Sequence, residues 1–386
     1  MAGIYIHIPF CKQACHYCNF HFSTSVKLKE ELIGALVKEI NAPFIFQQQG
    51  NKSETIKETI TTLYFGGGTP SILTIDELQL IFTALRQRFA FAEDIEITLE
   101  ANPDDITVLK LQQWKKAGVN RLSVGVQSFL EAELQWMNRA HSASESLLCI
   151  DQIKDAGFSN FSVDLIYGSP LLNDNDWKKN VQTVIEKNIP HISCYALTIE
   201  PKTALDKMIG LHKKAPVDAE RQAQQFLLLM DWMAAAGYEH YEISNFAKPG
   251  WRSKHNSSYW QGEKYYGFGP SAHSYFPLGA SPVRRWNIAN NALYIRSLDK
   301  NIIPFEEEKL TETQQLNEYI MTALRTMEGI STKYISEKFG ENTSRKIKAD
   351  SKKYESTGKL KIETDKIILT KEGKLFADGI AADLFF

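Results

Sequence analysis

Six short runs rich in β-branched and aromatic residues recur between stretches of helical periodicity. They are GIYIHI (3–8), TTLYF (61–65), IEITLE (95–100), RLSVGVQ (121–127), FSVDLIYG (161–168) and ISCYALTI (192–199). Near-continuous apolar strands alternating with amphipathic helices predict a parallel sheet covered on its outer side by the connecting helices. Leu28, Leu32, Leu36 and Ile40 lie four apart after Ser25, a candidate N-cap, and ALRQRF and LQQWKKAGV precede the third and fourth runs. Six such units predict an α/β fold, a partial (β/α)6 barrel rather than a doubly wound open sheet. Barrels of this kind place their chemistry at the carboxyl ends of the strands. Those ends carry a cysteine loop, then GGGTP (66–70), Glu100 with Asn102, Gln127, Asp164, and Tyr195 with Thr198.

The 386 residues, 43% of them hydrophobic, suffice for one large domain, read as 1–299, and a smaller one over 300–386. A formal net charge of -2 gives no global attraction to nucleic acid or anionic lipid. The N-terminal segment has no basic run or small-residue cleavage site, and no apolar run approaches the roughly 18 residues of a membrane span. A cytoplasmic location is expected, with any membrane contact peripheral.

Cys11, Cys15 and Cys18 stand in a C-x3-C-x2-C spacing with no fourth thiol nearby, while Cys149 and Cys194 fall in a helical and a strand pattern as buried apolar residues. Three crowded thiols do not form a disulfide framework and suit a reducing compartment. A structural zinc site completed by His16 or His21, or an iron–sulfur cube on three thiolates, would each use such a loop. The spacing favours the cube, since zinc sites generally use two separated ligand pairs. A cube on three cysteines leaves one iron open, as catalytic or ligand-binding centres do.

CKQACHYC after a first strand and GGGTP after a second resemble the radical S-adenosylmethionine (SAM) superfamily. The resemblance implies a radical SAM barrel, one [4Fe-4S] cluster on Cys11, Cys15 and Cys18, and SAM chelated to the open iron. GVNRLSVGVQSF, MNRAHSA, VDLIYGSP, YEISNFAKPG and YYGFGPSAHSY extend it, over essentially the whole chain, to the oxygen-independent coproporphyrinogen dehydrogenase group and its HemW-type haem chaperone branch. Carried over by position, it implies that Tyr5 and Tyr17 pack on the cofactor and that Gly67, Gly68 and Thr69 let backbone approach its methionyl end. Glu100 and Asp164 would accept from ribose hydroxyls, Arg139 would pair with the methionyl carboxylate, Gln127 would lie between them, and Ala196 would meet adenine.

Two branches of the group imply different functions. The dehydrogenase carries a further cysteine two residues after the third ligand, where this chain has Phe20, and an N-terminal extension, whereas here Gly3 already opens the first strand. The string KHNSSYW (254–260) matches the H-N-x-x-Y-W pattern of the chaperones, which implies haem binding by His255 with Tyr259 and Trp260 as flat apolar surface; His273 and then His240 are the next candidate ligands. The expected function is a haem chaperone that delivers haem to haemoproteins such as respiratory enzymes of the membrane, as monomer or cluster-dependent dimer. The alternative is oxidative decarboxylation of coproporphyrinogen III to protoporphyrinogen IX, and no catalytic side chain is assigned.

The tail reads as a separate α+β unit of winged-helix type. Thr311 and Gln314 form a capping-box pattern, Leu316, Ile320, Leu324 and Met327 a stripe, and KLKIETDKIILT a hairpin turning near Asp365. Residues 301–386 hold 14 Lys and Arg against 15 Asp and Glu, so no basic excess is available for nucleic acid.

Overall fold

The computed structural model describes residues 2–42, 57–277 and 281–386. Strands β1 (Ala2–Ile8), β2 (Thr59–Gly67), β3 (Ala90–Ala101), β4 (Arg121–Gln127), β5 (Phe161–Tyr167) and β6 (His191–Ala196) pair in sequence order, each parallel to the next. Helices α1 (Lys29–Asn41), α2 (Ile75–Arg88), α3 (Val108–Ala117), α4 (Glu131–Met137), α5 (Ala143–Asp155), α6 (Asp174–Glu186), α7 (Ala204–Gly210) and α8 (Ala219–Ala235) follow their strands. The six expected units are therefore present, with two local corrections. The sixth strand ends at Ala196 rather than at 199, and α1 starts at Lys29 behind Leu28, so Ser25 caps nothing.

Alternation along the strands divides the sheet into two faces. Ile4, Ile6 and Ile8 on β1, Leu63 and Phe65 on β2, and Ile97 and Leu99 on β3 are buried in the large core under the helices. The opposite parity, Gly3, Tyr5 and His7, pairs with Thr62, Tyr64 and Gly66 of β2 and lines the concave side. Arg121 and Ser123 of β4, Ser162 and Asp164 of β5, and His191 and Ser193 of β6 continue that polar lining.

The sheet does not close. Beyond β6 it adds β7 (Glu239–Glu242) and β8 (Asn245–Ala247), antiparallel, after which α9 (Lys254–Trp260) follows. At the other edge β9 (Tyr265–Phe268) runs parallel to β1, and β10 (His273–Phe276), β11 (Val283–Asn287) and β12 (Phe305–Lys309) are added antiparallel, with α10 (Asn291–Asp299) between the last two. The division expected at residue 300 falls ahead of β12, which belongs to the large sheet.

The tail comprises α11 (Glu312–Leu324), β13 (Ile330–Ser331), α12 (Thr332–Phe339), α13 (Glu341–Glu355), β14 (Leu360–Ile362), β15 (Lys366–Leu369) and α14 (Ala377–Asp383). Its own core gathers Leu316, Ile320, Leu324, Ile335, Ile347 and Ile367. Thr311 and Gln314 do form a capping box at α11. Met327, expected on the same stripe, lies past the helix end and is exposed. Helix, strand, two helices and a hairpin give a small antiparallel sheet of order β13-β15-β14, the winged-helix arrangement. Among the described residues no helix is long and apolar enough to cross a membrane.

Candidate functional site

The cysteine loop leaves β1 and is tied at both ends. Cys11 N–H donates to Ser23 O at 3.0 Å and Ser23 N–H to Pro9 O at 2.8 Å. The segment after β2 braces its root, with Gly68 N–H donating to Ile8 O at 2.9 Å and Thr69 N–H to Phe10 O at 2.7 Å. A Cβ on Gly68 would sit 2.7 Å from Phe10 O and 2.8 Å from Phe10 N, and Gly67 has φ +108. Glycine is thus required here first by the loop's own backbone. On the far side His16 N–H donates to Met137 O at 3.1 Å, and Asn138 Nδ2 donates to Ala14 O at 2.7 Å.

A circuit of hydrogen bonds joins the loop to three strand ends. Thr69 Oγ1 donates to Cys11 Sγ at 3.5 Å and accepts from Asn102 Nδ2 at 3.2 Å. Arg139 Nη2 donates to Asn102 Oδ1 and to Gly125 O, both at 2.7 Å, while Nη1 donates to Cys15 Sγ at 3.2 Å and Tyr17 Oη at 3.3 Å. Arg139 follows α4 and turns into the barrel mouth, with the cation against sulfur. Tyr17 packs among Met137, Ile166, Leu197 and Leu205. The thiols sense one another electrostatically, but burial is the larger influence: it raises Cys11 to about 11 and raises Cys18 as well.

Two carboxyls stand deeper in the lining. Glu100 accepts from Tyr64 Oη at 2.7 Å, and burial, against that bond, raises it to about 7. Asp164 is raised to about 6, again chiefly by burial, and its Oδ1 is buried with no hydrogen-bond partner. A buried acceptor without a donor is costly, and ribose hydroxyls are donors of the needed kind. Tyr5 stacks on Tyr64 with ring centroids 6.1 Å apart and its hydroxyl lies 3.2 Å from His7 Nδ1. Gln127 ends β4 with φ 66, its amide beside Gly125. Ala196 ends β6, paired with Tyr167.

Among the described residues no three His, Cys, Asp or Glu side chains converge as on a single metal ion. Both candidates for a zinc site's fourth ligand commit a ring nitrogen to other partners: His16 Nδ1 lies 3.0 Å from Trp136 O and His21 Nε2 2.7 Å from Asn291 Oδ1. Three thiols on a pinned loop without a fourth partner, a cation on one sulfur and an unpaired buried carboxylate oxygen behind them fit a cubane cluster with SAM beside it.

His255 lies elsewhere, on α9 at the amino ends of the strands. It is 1% exposed, with Nδ1 2.8 Å from Thr62 Oγ1 and Nε2 2.9 Å from Tyr259 Oη. Glu96 accepts from the backbone N–H groups of Lys254 and His255 at 3.1 and 3.0 Å, fixing the start of α9 as the barrel floor. Tyr259 meets Tyr265 edge to face at 4.6 Å, and Trp260 lies under the Arg325 guanidinium at 5.5 Å. In this arrangement His255 offers no free nitrogen and is not brought together with the cysteine loop. Tyr64, His7 and Arg121 line the same concave face and were missed in the sequence. Their parity, i±2 from Gly66, Tyr5 and Ser123, was the available signal.

The radical SAM superfamily model matches residues 5–184 and the HemN C-terminal domain model residues 310–376. The chain is 32% identical over 383 residues to the heme chaperone HemW of Bacillus subtilis (strain 168), covering 98% of each. It is 30% identical to the protein of that name from Mycobacterium tuberculosis, covering 99% of this chain and 94% of the relative. The solved coproporphyrinogen III oxidase HemN from Escherichia coli superposes with a TM-score of 0.83 at 21% identity, covering 100% of this chain and 90% of that one, a likeness of fold. Identity at this level across nearly the full length of both chains assigns the protein to the HemW family of the radical SAM superfamily.

Proposed function

We propose that this chain carries haem as cargo and hands it to acceptor haemoproteins, membrane respiratory enzymes among them, from the cytoplasm with peripheral contact at most. The observation that carries the reading is the end-to-end match to relatives named heme chaperone. Phe20, 69% exposed, stands where the dehydrogenase branch is expected to bear its further thiol, which weighs against the alternative.

Within this reading Cys11, Cys15 and Cys18 hold one [4Fe-4S] cluster, and SAM contacts Tyr5, Tyr17, Gly67, Gly68, Thr69, Glu100, Gln127, Arg139, Asp164 and Ala196. A cluster with an open iron, once bound, supplies an electron for reductive cleavage of SAM. The chain's own residues bind and orient. Asp164 Oδ1 is the acceptor that gains a donor, Glu100 is held in place by Tyr64, and Arg139 sets a fixed positive charge beside Cys15.

Anaerobic reconstitution should give about four iron and four sulfide per chain, lost in Cys15→Ala. The reconstituted chain should take up haem with a Soret band and should not convert coproporphyrinogen III over multiple turnovers. Stoichiometric zinc without iron would overturn the cluster assignment. Repeated formation of protoporphyrinogen IX would establish the dehydrogenase instead.

A further inference from the structure

Five tyrosines and His255 form a continuous series of rings through the barrel interior. Tyr5 stacks on Tyr64 with centroids 6.1 Å apart, and Tyr64 stacks on His255 at 5.0 Å. His255 meets Tyr259 edge to face at 4.9 Å, Tyr259 meets Tyr265 in the same way at 4.6 Å, and Tyr265 lies 6.2 Å from Tyr275. Every step falls in the range of directly interacting aromatic pairs. The series starts at Tyr5, which the SAM reading sets against the cofactor, and crosses the barrel floor. It ends at the sheet edge, where Tyr275 of β10 is half-buried opposite Arg284 of β11.

Each of the three inner phenols has a base beside it. His7 Nε2 lies 2.9 Å from the His21 carbonyl oxygen, which can only accept, so Nε2 carries the hydrogen. Nδ1 of the same ring, 3.2 Å from Tyr5 Oη, is left to accept the Tyr5 proton. Tyr64 Oη donates to Glu100 at 2.7 Å. Burial, with the Arg121 cation next, pushes His255 down to about 3, so its ring is neutral. Tyr259 Oη has no other hydrogen-bond partner among the described residues, so it donates to His255 Nε2 at 2.9 Å while Nδ1–H donates to Thr62 Oγ1 at 2.8 Å. Packing alone needs the rings and not these hydroxyls. A phenol that sheds its proton to a base as it loses an electron avoids a buried positive charge, which is otherwise costly.

Resting on the SAM reading above, we propose that these tyrosines relay a one-electron oxidising equivalent from the cofactor site to the β10 edge, where a thiol in solution reduces it. The oxidant is an organic radical left in the barrel when SAM is cleaved with no substrate hydrogen in reach. It takes the hydrogen atom of Tyr5 Oη: the O–H bond breaks, a bond from that hydrogen to the radical forms, and Tyr5 is left one electron short. At each later step the ring ahead gives an electron to the ring behind and its phenolic proton to a base or to water, while the ring behind takes a proton back. His255 serves as contact and base between Tyr64 and Tyr259 and is not itself oxidised. Tyr275 finally takes an electron and a proton from the thiol. Two radicals quenched convert two thiols into one disulfide. The relay gives His255 and Tyr259 a role that their mutual hydrogen bond serves, whereas iron ligation by His255 would break it.

The test uses the full, cluster-loaded chain, reduced, freed of excess reductant and mixed anaerobically with SAM and a spin trap, at a pH above the Glu100 value of about 7. Freeze-quench EPR reads the radical, peptide mass spectrometry locates the trap adduct, and circular dichroism verifies folding. The parent should give a tyrosyl signal and an adduct on Tyr275. Tyr265→Phe keeps the ring and stays clear of the cofactor residues. It should lose most of the Tyr275 adduct and leave the effect of SAM on the cluster's EPR signal unchanged. Tyr259→Phe should lose the same adduct and retain the radical on Tyr5 and Tyr64. Tyr354→Phe, in the tail, should change nothing. A parent that binds SAM but gives no tyrosyl signal overturns the relay, as does an undiminished Tyr275 adduct in either Tyr265→Phe or Tyr259→Phe. A cluster signal that SAM does not perturb overturns the SAM reading itself, and the relay with it.

Discussion

Glu100 and Asp164 share one barrel interior, and burial raises both, from an ordinary 4.5 to about 7 and from 3.8 to about 6. A carboxyl whose folded pKa is raised stabilises the fold while protonated. That contribution is full below the unfolded value and is lost as pH rises through the folded one. The SAM-free chain should therefore lose stability between pH 3.8 and about pH 7 on account of these groups, on the order of a few kcal/mol. Glu100→Gln keeps the shape and an acceptor for Tyr64 but does not titrate, so its urea midpoint should fall less than the parent's between pH 5 and pH 8. An equal fall in both would show that Glu100 is not held protonated by its site. Glu100 was legible in the sequence because it closes a β-branched run, and Asp164 because the string VDLIYGSP carries the family resemblance. Tyr64 and Arg121 were not, since a polar residue inside an apolar run gives no sign of which face it takes until the register is known.

At the scale of elements, the GGGTP segment is a wedge between β2 and the cysteine loop, and at Gly68 its close contacts are all with backbone rather than ligand. Gly68→Ala would bring a Cβ to 2.7 Å from Phe10 O and 2.9 Å from Ile8 O, atoms that cannot rotate away. Overpacking of this kind costs about 1–3 kcal/mol, and here it also shifts the root of the thiol loop. The variant should show a lowered Tm and lowered iron retention together. Gly34→Ala, in α1 with nothing within 4 Å of the new carbon, should leave iron unchanged and raise Tm slightly. Normal iron content in Gly68→Ala would detach the wedge from the loop. The six parallel strands were readable because each is a long run between periodic helices. The edge strands β7 to β12 were not, being three to five residues each and held by non-local antiparallel pairing that leaves little local pattern.

For the whole molecule the question is how firmly the tail is joined to the sheet, because the Arg284 edge and the barrel floor both border it. Ile243 N–H donates to Arg325 O and Met327 N–H to Tyr241 O, both at 3.0 Å, so the segment after α11 is stitched along β7. Glu242, 1% exposed, receives Arg325 Nε and Nη2 at 3.0 Å and Asn245 Nδ2 at 2.6 Å. The Arg325 guanidinium also covers Trp260 of α9, coupling the tail to the element that closes the floor. Removing one partner of such a pair leaves a buried charge uncompensated and typically costs about 3–5 kcal/mol. Lys371 and Asp231 join the same two units at the surface, where a pair contributes about 0–1 kcal/mol. Arg325→Met should therefore split a single unfolding transition into two and open the connection near residue 310 to protease, while Lys371→Ala should leave one transition and the parent's digestion pattern. If Arg325→Met still unfolds in one step at an unchanged midpoint, Glu242 is satisfied by Asn245 and the Ser244 N–H alone, and the backbone stitching along β7 is what unites the molecule.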